Sequence, residues 1–165
     1  CVDVVEELAR ERAKELFGCE YTDYPVPENK PFKSYMDADT IRDKSSKQYA
    51  MKSTFLLDYS TGIYMIGNRY ACALGSFYST DIGTEFDIVL ESGEVIPCVL
   101  ADVKDDEHTD SLNQYTVANG SIVEFIVHTS TLIPNISNRW GNTGDVSKID
   151  GFEGEIAYIR IYEKE

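Results

Sequence analysis

The apolar residues of this chain change their spacing twice, and each change marks a different kind of structure. Val2, Val5, Leu8, Ala9, Ala13 and Leu16 recur at helical intervals, while Asp3, Glu6, Glu7, Arg10, Glu11, Lys14 and Glu15 take the opposite face. This predicts an amphipathic helix over residues 2–17, reinforced by the Glu6–Arg10 pair and stopped at Gly18. One apolar stripe needs a surface to lie on, either the domain that follows or a segment upstream of the chain. Residues 21–48 lose the periodicity, are polar and carry Pro25, Pro27 and Pro31, which predicts an extended connector or wrapping arm. Within it, the run DKSSKQ from Asp43 to Gln48 reads as a solvated turn.

From Tyr49 onward the spacing is that of strands. The runs Lys52–Asp58, Ile63–Ile66, Arg69–Ser76, Glu85–Leu90, Val95–Val103, Ser121–His128 and Glu153–Glu163 are short and divided by turn residues. Gly67-Asn68 and Glu91-Ser92-Gly93-Glu94 supply hairpin turns. In the last run Ile156, Tyr158, Arg160 and Tyr162 alternate with Ala157, Ile159 and Ile161, as in a half-buried strand. Short strands with one helix predict a mainly β fold, a small barrel or sandwich. The chain divides into a helix at 1–20, a connector at 21–48 and a β domain at 49–165.

A chain of 165 residues is long enough to build a core without a disulfide or a metal. Its net charge of −14, from 29 acids against 15 bases with no basic stripe, repels phosphate backbones and excludes nucleic acid as a partner. Eleven Tyr against one Trp suits exposed strands, and also suits stacking on sugars. No GxGxxG, P-loop or GxSxG motif occurs, so nothing calls for a cofactor. No apolar run approaches about 18 residues, the length that spans a membrane. The chain starts without Met or a signal peptide, which reads as a trimmed chain, such as a mature form after export. A leading Cys1 fits the lipid-bearing residue of a bacterial lipoprotein. Cys19, Cys72 and Cys98 form no CxxC pair. Cys72 and Cys98 sit in apolar runs, as buried free thiols or as a Cys72–Cys98 disulfide.

Candidate chemistry concentrates between Gly83 and His128. Period-two alternation puts Glu124 on one strand face with Ile122 and Ile126, and Val123, Phe125 and Val127 on the other. A carboxyl among apolar neighbours has its pKa raised, as a general acid working near neutrality requires. Asp102 ends the run VIPCVLA just before a long loop, where a carboxylate points into a groove or initiates a turn. The loop KDDEHTD, Lys104–Asp110, offers His108, Asp110 and Asp105 or Asp106 to a divalent cation. One His with scattered acids is not a metal signature, so no metal ligand is assigned and the loop reads as groove lining or solvated surface.

The segment Gly83–Val127 resembles the bacterial three-aspartate (3D) domain, which is related to the MltA class of lytic transglycosylases. Gly83-Thr84 is similar to the Gly-Thr that opens a strand of the pattern, Val99-Leu100-Ala101-Asp102 to the strand leading into the first Asp, and Asn119-Gly120 with Ser121–Phe125 to the acid-bearing strand. The upstream run Ala73–Tyr78 is similar to the first barrel strand. The chain departs from that pattern with Val103-Lys104-Asp105 in place of Thr-Gly-Gly, with a longer and more acidic loop, and with Glu124 in place of the last Asp. The resemblance implies a six-stranded double-psi β-barrel in an exported, extracellular or cell-wall-associated bacterial or phage-type protein whose partner is the glycan strand of peptidoglycan. It implies Glu124 as the acid/base, Asp102 as the group that orients or stabilises, and Asp110 as the third acidic position. In that setting Tyr78 and Trp140 stack on sugars, and Lys104 and His108 hydrogen-bond substrate. The alternatives are a non-catalytic barrel that binds glycan or protein, and a divalent-metal-binding protein.

Overall fold

The computed structural model describes residues 20–28, 30, 32–132, 136 and 144–164, with Val4, Leu8 and Arg12. The helix expected at 2–17 lies largely outside the described residues, as do Cys1, Cys19 and Trp140. Among the described residues, nine strands form one sheet: β1 Tyr21–Pro25, β2 Lys33–Asp37, β3 Leu56–Asp58, β4 Ile63–Ile66, β5 Arg69–Leu74, β6 Glu85–Leu90, β7 Val95–Val103, β8 Val123–Val127 and β9 Ile156–Tyr162. The hydrogen-bonded order is β1-β9-β6-β7-β5-β4-β8-β2, with β3 on β4 and a second pairing of β5 with β8. The fold is mainly β, and the path of the nine strands does not close on itself.

The connector expected at 21–48 is instead part of the sheet. β1 pairs antiparallel with β9 from Tyr21↔Tyr162 to Pro25↔Tyr158, and β2 pairs parallel with β8 from Lys33↔Val123 to Asp37↔Val127. β2 escapes a hydrophobicity reading because the strand begins Lys33-Ser34, yet both are fully buried. Lys33 Nζ donates to the carbonyls of Phe152 and Gly154, which satisfies the buried ammonium. The DKSSKQ run also differs from its reading. Ser46 is an N-cap, its hydroxyl accepting from Tyr49 N at 3.0 Å, and it opens the helix α1, Lys47–Lys52.

The sheet buries both faces unequally. Cys72, Leu74, Phe86, Ile88, Leu100, Phe125 and Ile159 belong to the main core, with Val146, Ile149 and Phe152 packed into the same cluster. The opposite face holds a smaller cluster of Ala71, Ala73, Ala101 and Ile126 with Met36, Ala38 and Ile41, against which Tyr49, Met51, Phe55 and Tyr64 pack. Alanines there let the α1 region approach the strands closely. Ile122 precedes β8 and joins the main core, so the alternation expected around Glu124 holds for Ile126 and not for Ile122. Cys72 and Cys98 are both buried free thiols.

Phe125 is fully buried and lies 5.2 Å from the Phe152 ring and 6.2 Å from the Tyr70 ring. Truncation to Ala should cost about 3–5 kcal/mol in denaturant unfolding. A loss below about 1 kcal/mol would contradict this packing.

Candidate active site

Ala73 of β5 faces Asp102 of β7 across one ladder and Glu124 of β8 across the other. The three residues form one row across adjacent strands, and all three line a groove of about 770 Å³. Ser34 of β2 extends the row beside Glu124, and its buried hydroxyl has no hydrogen-bond partner among the described residues. Strict alternation would not bring Asp102 there. Leu100 points into the main core, so two residues on Asp102 should do the same. The β5–β7 register shifts between Cys72 and Ala73, from Cys72↔Leu100 to Ala73↔Asp102, so Ala101 has no opposite residue. This bulge turns both Ala101 and Asp102 to the groove face, the re-aiming that bulges perform near functional sites.

Each carboxylate has its own surroundings. Burial pushes the Asp102 carboxyl above the usual carboxylate range. The charge of Glu124 adds to this, while the Val103 N–H at 2.9 Å and the Gln48 side chain of α1 oppose it. Glu124 accepts from the Thr116 and Ser121 hydroxyls, each at 3.3 Å, and lies 4.0 Å from Lys104 Nζ. Lys104 is 4% exposed at its side chain and donates to Thr116 Oγ1 at 2.8 Å, Ser121 O at 2.5 Å and Ser121 Oγ at 3.1 Å. Burial lowers its pKa to about 8, against the attraction of Glu124.

The connection from β7 to β8 forms the groove wall and is pinned at several points. Lys104 N donates to Leu74 O at 2.9 Å, and Ser76 Oγ donates to Asp106 Oδ1 at 2.6 Å. Asp105 caps the turn of 3-10 helix Asp106–His108, and Thr109 bridges Thr116. Gly75 is required where the wall meets β5, since a Cβ there would stand 2.0 Å from Asn113 O.

Lys104, His108, Asp102 and Glu124 thus share the groove. Asp110 does not line it: its carboxylate accepts from Leu112, Gln114 and Tyr115 N–H groups and organises the loop. Partial burial acts to raise its pKa, but those donors prevail and hold it below the usual range. Tyr78 is a core residue, 3% exposed, with its hydroxyl donating to Pro25 O at 3.3 Å, so it presents no face to a sugar in this groove. Among the described residues no group of three or more His, Cys, Asp or Glu side chains is arranged to hold a metal. The residues that sequence reasoning missed are Gln48, Thr116 and Ser121. Only Gln48 had a local signal, the Ser46 cap ahead of KQYAMK.

Comparison of the chain with family models, curated proteins and solved structures finds no match.

Two stability effects follow. Asp102 is held above its unfolded pKa, so its contribution is favourable at low pH and is lost as pH rises through the folded value. Asp102→Asn should therefore raise Tm at pH 7, with a gain that shrinks on acidification. An unchanged or lower Tm at pH 7 would refute the burial. Lys104 has its pKa lowered from 10.5 to about 8, so the folded chain gains stability as pH rises through that window. The unfolding free energy of the wild type, relative to Lys104→Met, should grow between pH 8 and 10.5 by up to about 3 kcal/mol. A flat difference would count against a desolvated amine.

Proposed function

We propose that this protein cleaves the glycan strands of peptidoglycan by carboxylate acid/base chemistry, in the manner of a lytic transglycosylase. The observation that carries the reading is the row Asp102–Ala73–Glu124, with both carboxylates opening into one groove. The resemblance of Gly83–Val127 to the 3D domain supports the choice of peptidoglycan. The finer fold reading, a six-stranded double-psi unit within the larger sheet, and an exported, cell-wall location belong to the same proposal.

The surroundings of the two carboxylates suggest the reverse of the roles expected from the resemblance. Asp102 carries the raised pKa and is the proton donor. Its carboxyl protonates the glycosidic oxygen as the bond from that oxygen to the anomeric carbon breaks. The resulting carboxylate takes the proton of the same sugar's 6-hydroxyl, whose oxygen closes on the anomeric carbon. The product is a 1,6-anhydro sugar, Asp102 is protonated again, and no water is consumed. Glu124 stabilises the oxocarbenium-like transition state, held in place by Thr116, Ser121 and Lys104. Neighbouring strands lie about 4.8 Å apart, so two carboxylates flanking one strand leave room for a sugar between them.

Digestion of purified cell walls followed by mass spectrometry tests the reading. Anhydro-muropeptides are expected, and Asp102→Asn should lower their release about 10²–10⁴-fold. Release of hydrolytic products alone, or full activity in Asp102→Asn, would reject it.

A further inference from the structure

We propose that Asn119 is a site of spontaneous modification, losing its side-chain amide to attack by its own backbone, and that the product opens the polar cluster around Lys104. This chemistry needs no glycan and stands or falls apart from the catalytic reading. Asn119-Gly120 is the single Asn-Gly pair of the chain. Asn119 is half-buried and closes a turn whose other residues, Val117 and Ala118, are exposed. Its Oδ1 accepts from Ser121 N at 2.9 Å, which folds the carboxamide forward over the Gly120 peptide. The same donor stabilises the negative charge that builds on this oxygen when Cγ is attacked. Gly120 has a φ of 74° and no side chain to screen its nitrogen, and a Cβ there would meet only Lys30 Cδ, at 3.6 Å.

In the reaction the Gly120 nitrogen bonds to Asn119 Cγ, and the side-chain nitrogen leaves as ammonia with the proton that Gly120 gives up. Water then opens the succinimide ring at one carbonyl or the other, to aspartate or isoaspartate. No oxidant or cofactor takes part. One contact acts as a brake: Gly120 N–H donates to Thr116 O at 2.7 Å and must first be released. Asn68 and Asn113 are placed less well. Arg69 follows the first, and buried Gln114 follows the second, its N–H held by Asp110 Oδ1 at 2.6 Å.

Isoaspartate sends the main chain through Cβ and lengthens it by a methylene. The segment it lengthens is closed on itself, by Thr116 N donating to Ser121 O at 2.9 Å and by Gly120 N donating to Thr116 O. Thr116 and Ser121 also hold Lys104 Nζ, through both hydroxyls and the Ser121 carbonyl. The longer turn draws these acceptors apart, and a buried amine that loses them is driven toward water.

The experiment ages the whole chain in neutral and in mildly alkaline buffer, maps it by peptide mass spectrometry that separates isoaspartate from aspartate, and then treats it briefly with acetic anhydride. Asn119 should convert about tenfold faster than Asn68 or Asn113, and faster still in alkali, because the attacking nitrogen must lose its proton. Lys104 is 4% exposed at its side chain and should be protected in fresh protein, then acetylated several-fold more in chains carrying isoaspartate. Asn119→Ser keeps an acceptor for Ser121 N and has no amide to lose, so its Lys104 should stay protected after the same ageing. Conversion of Asn119 no faster than that of Asn113 overturns the inference. So does a Lys104 that stays protected in the isoaspartate chains, or one that becomes equally reactive in aged Asn119→Ser.

Discussion

The double occupation of β5 is the constraint from which the rest of the structure follows. Both edges of this strand are taken, by β7 in parallel and by β8 in antiparallel pairing. A strand so placed must satisfy both faces of the sheet. Cys72 and Leu74 enter the main core, while Ala71 and Ala73 face the smaller cluster. Alanine at 73 serves two purposes. It allows close packing of the α1 region, and it leaves open the space between the carboxylates on either side. A larger side chain there would occupy the groove floor. The fold and the candidate site therefore depend on the same small residue.

The electrostatics of the row depend on how little water reaches it. A buried amine is costly unless its donors are met, and Lys104 meets them with two hydroxyls and a carbonyl from the groove wall. Those same hydroxyls turn toward Glu124, so the wall is joined to β8 through one polar cluster. The cluster is internally satisfied, which is why it fixes geometry. Removing any member would leave a buried donor or acceptor unmatched, and the wall would lose its register with the strand.

Most strands from Ile63 onward were legible because alternation and turn chemistry agreed there. The hairpin at Glu91–Glu94 and the strands β6 and β7 lie within the expected boundaries. The pairing of Asp102 with Glu124 in one groove also matches the sequence expectation, but the reason differs. Alternation alone turns Asp102 inward, and only a one-residue bulge at Ala101 reverses it. Bulges arise from how two strands meet, and no local pattern in VIPCVLAD records that meeting. The same holds for β2, whose Lys33-Ser34 looks solvated until Phe152 and Gly154 supply acceptors from far along the chain. Tyr78 and Asp110 illustrate the opposite error. Residue types suited to sugar stacking or acid chemistry are equally suited to a core and to a turn, and here the backbone takes both.

If Gly83–Val127 is a 3D-like segment, as proposed, its departures from that pattern have a physical sense in this arrangement. Lys104 stands where the pattern has the first Gly of Thr-Gly-Gly, and its side chain reaches back to Ser121 and Thr116 beneath the wall. A glycine pair has no side chain to fill that space. A lysine fills it and supplies the charge that faces Glu124. The carboxylate at 124 lies 4.0 Å from that amine. On the proposed reading, the acidic position drawn toward Lys104 is the stabilising one and proton transfer falls to Asp102, which has burial around it and no cation beside it among the described residues.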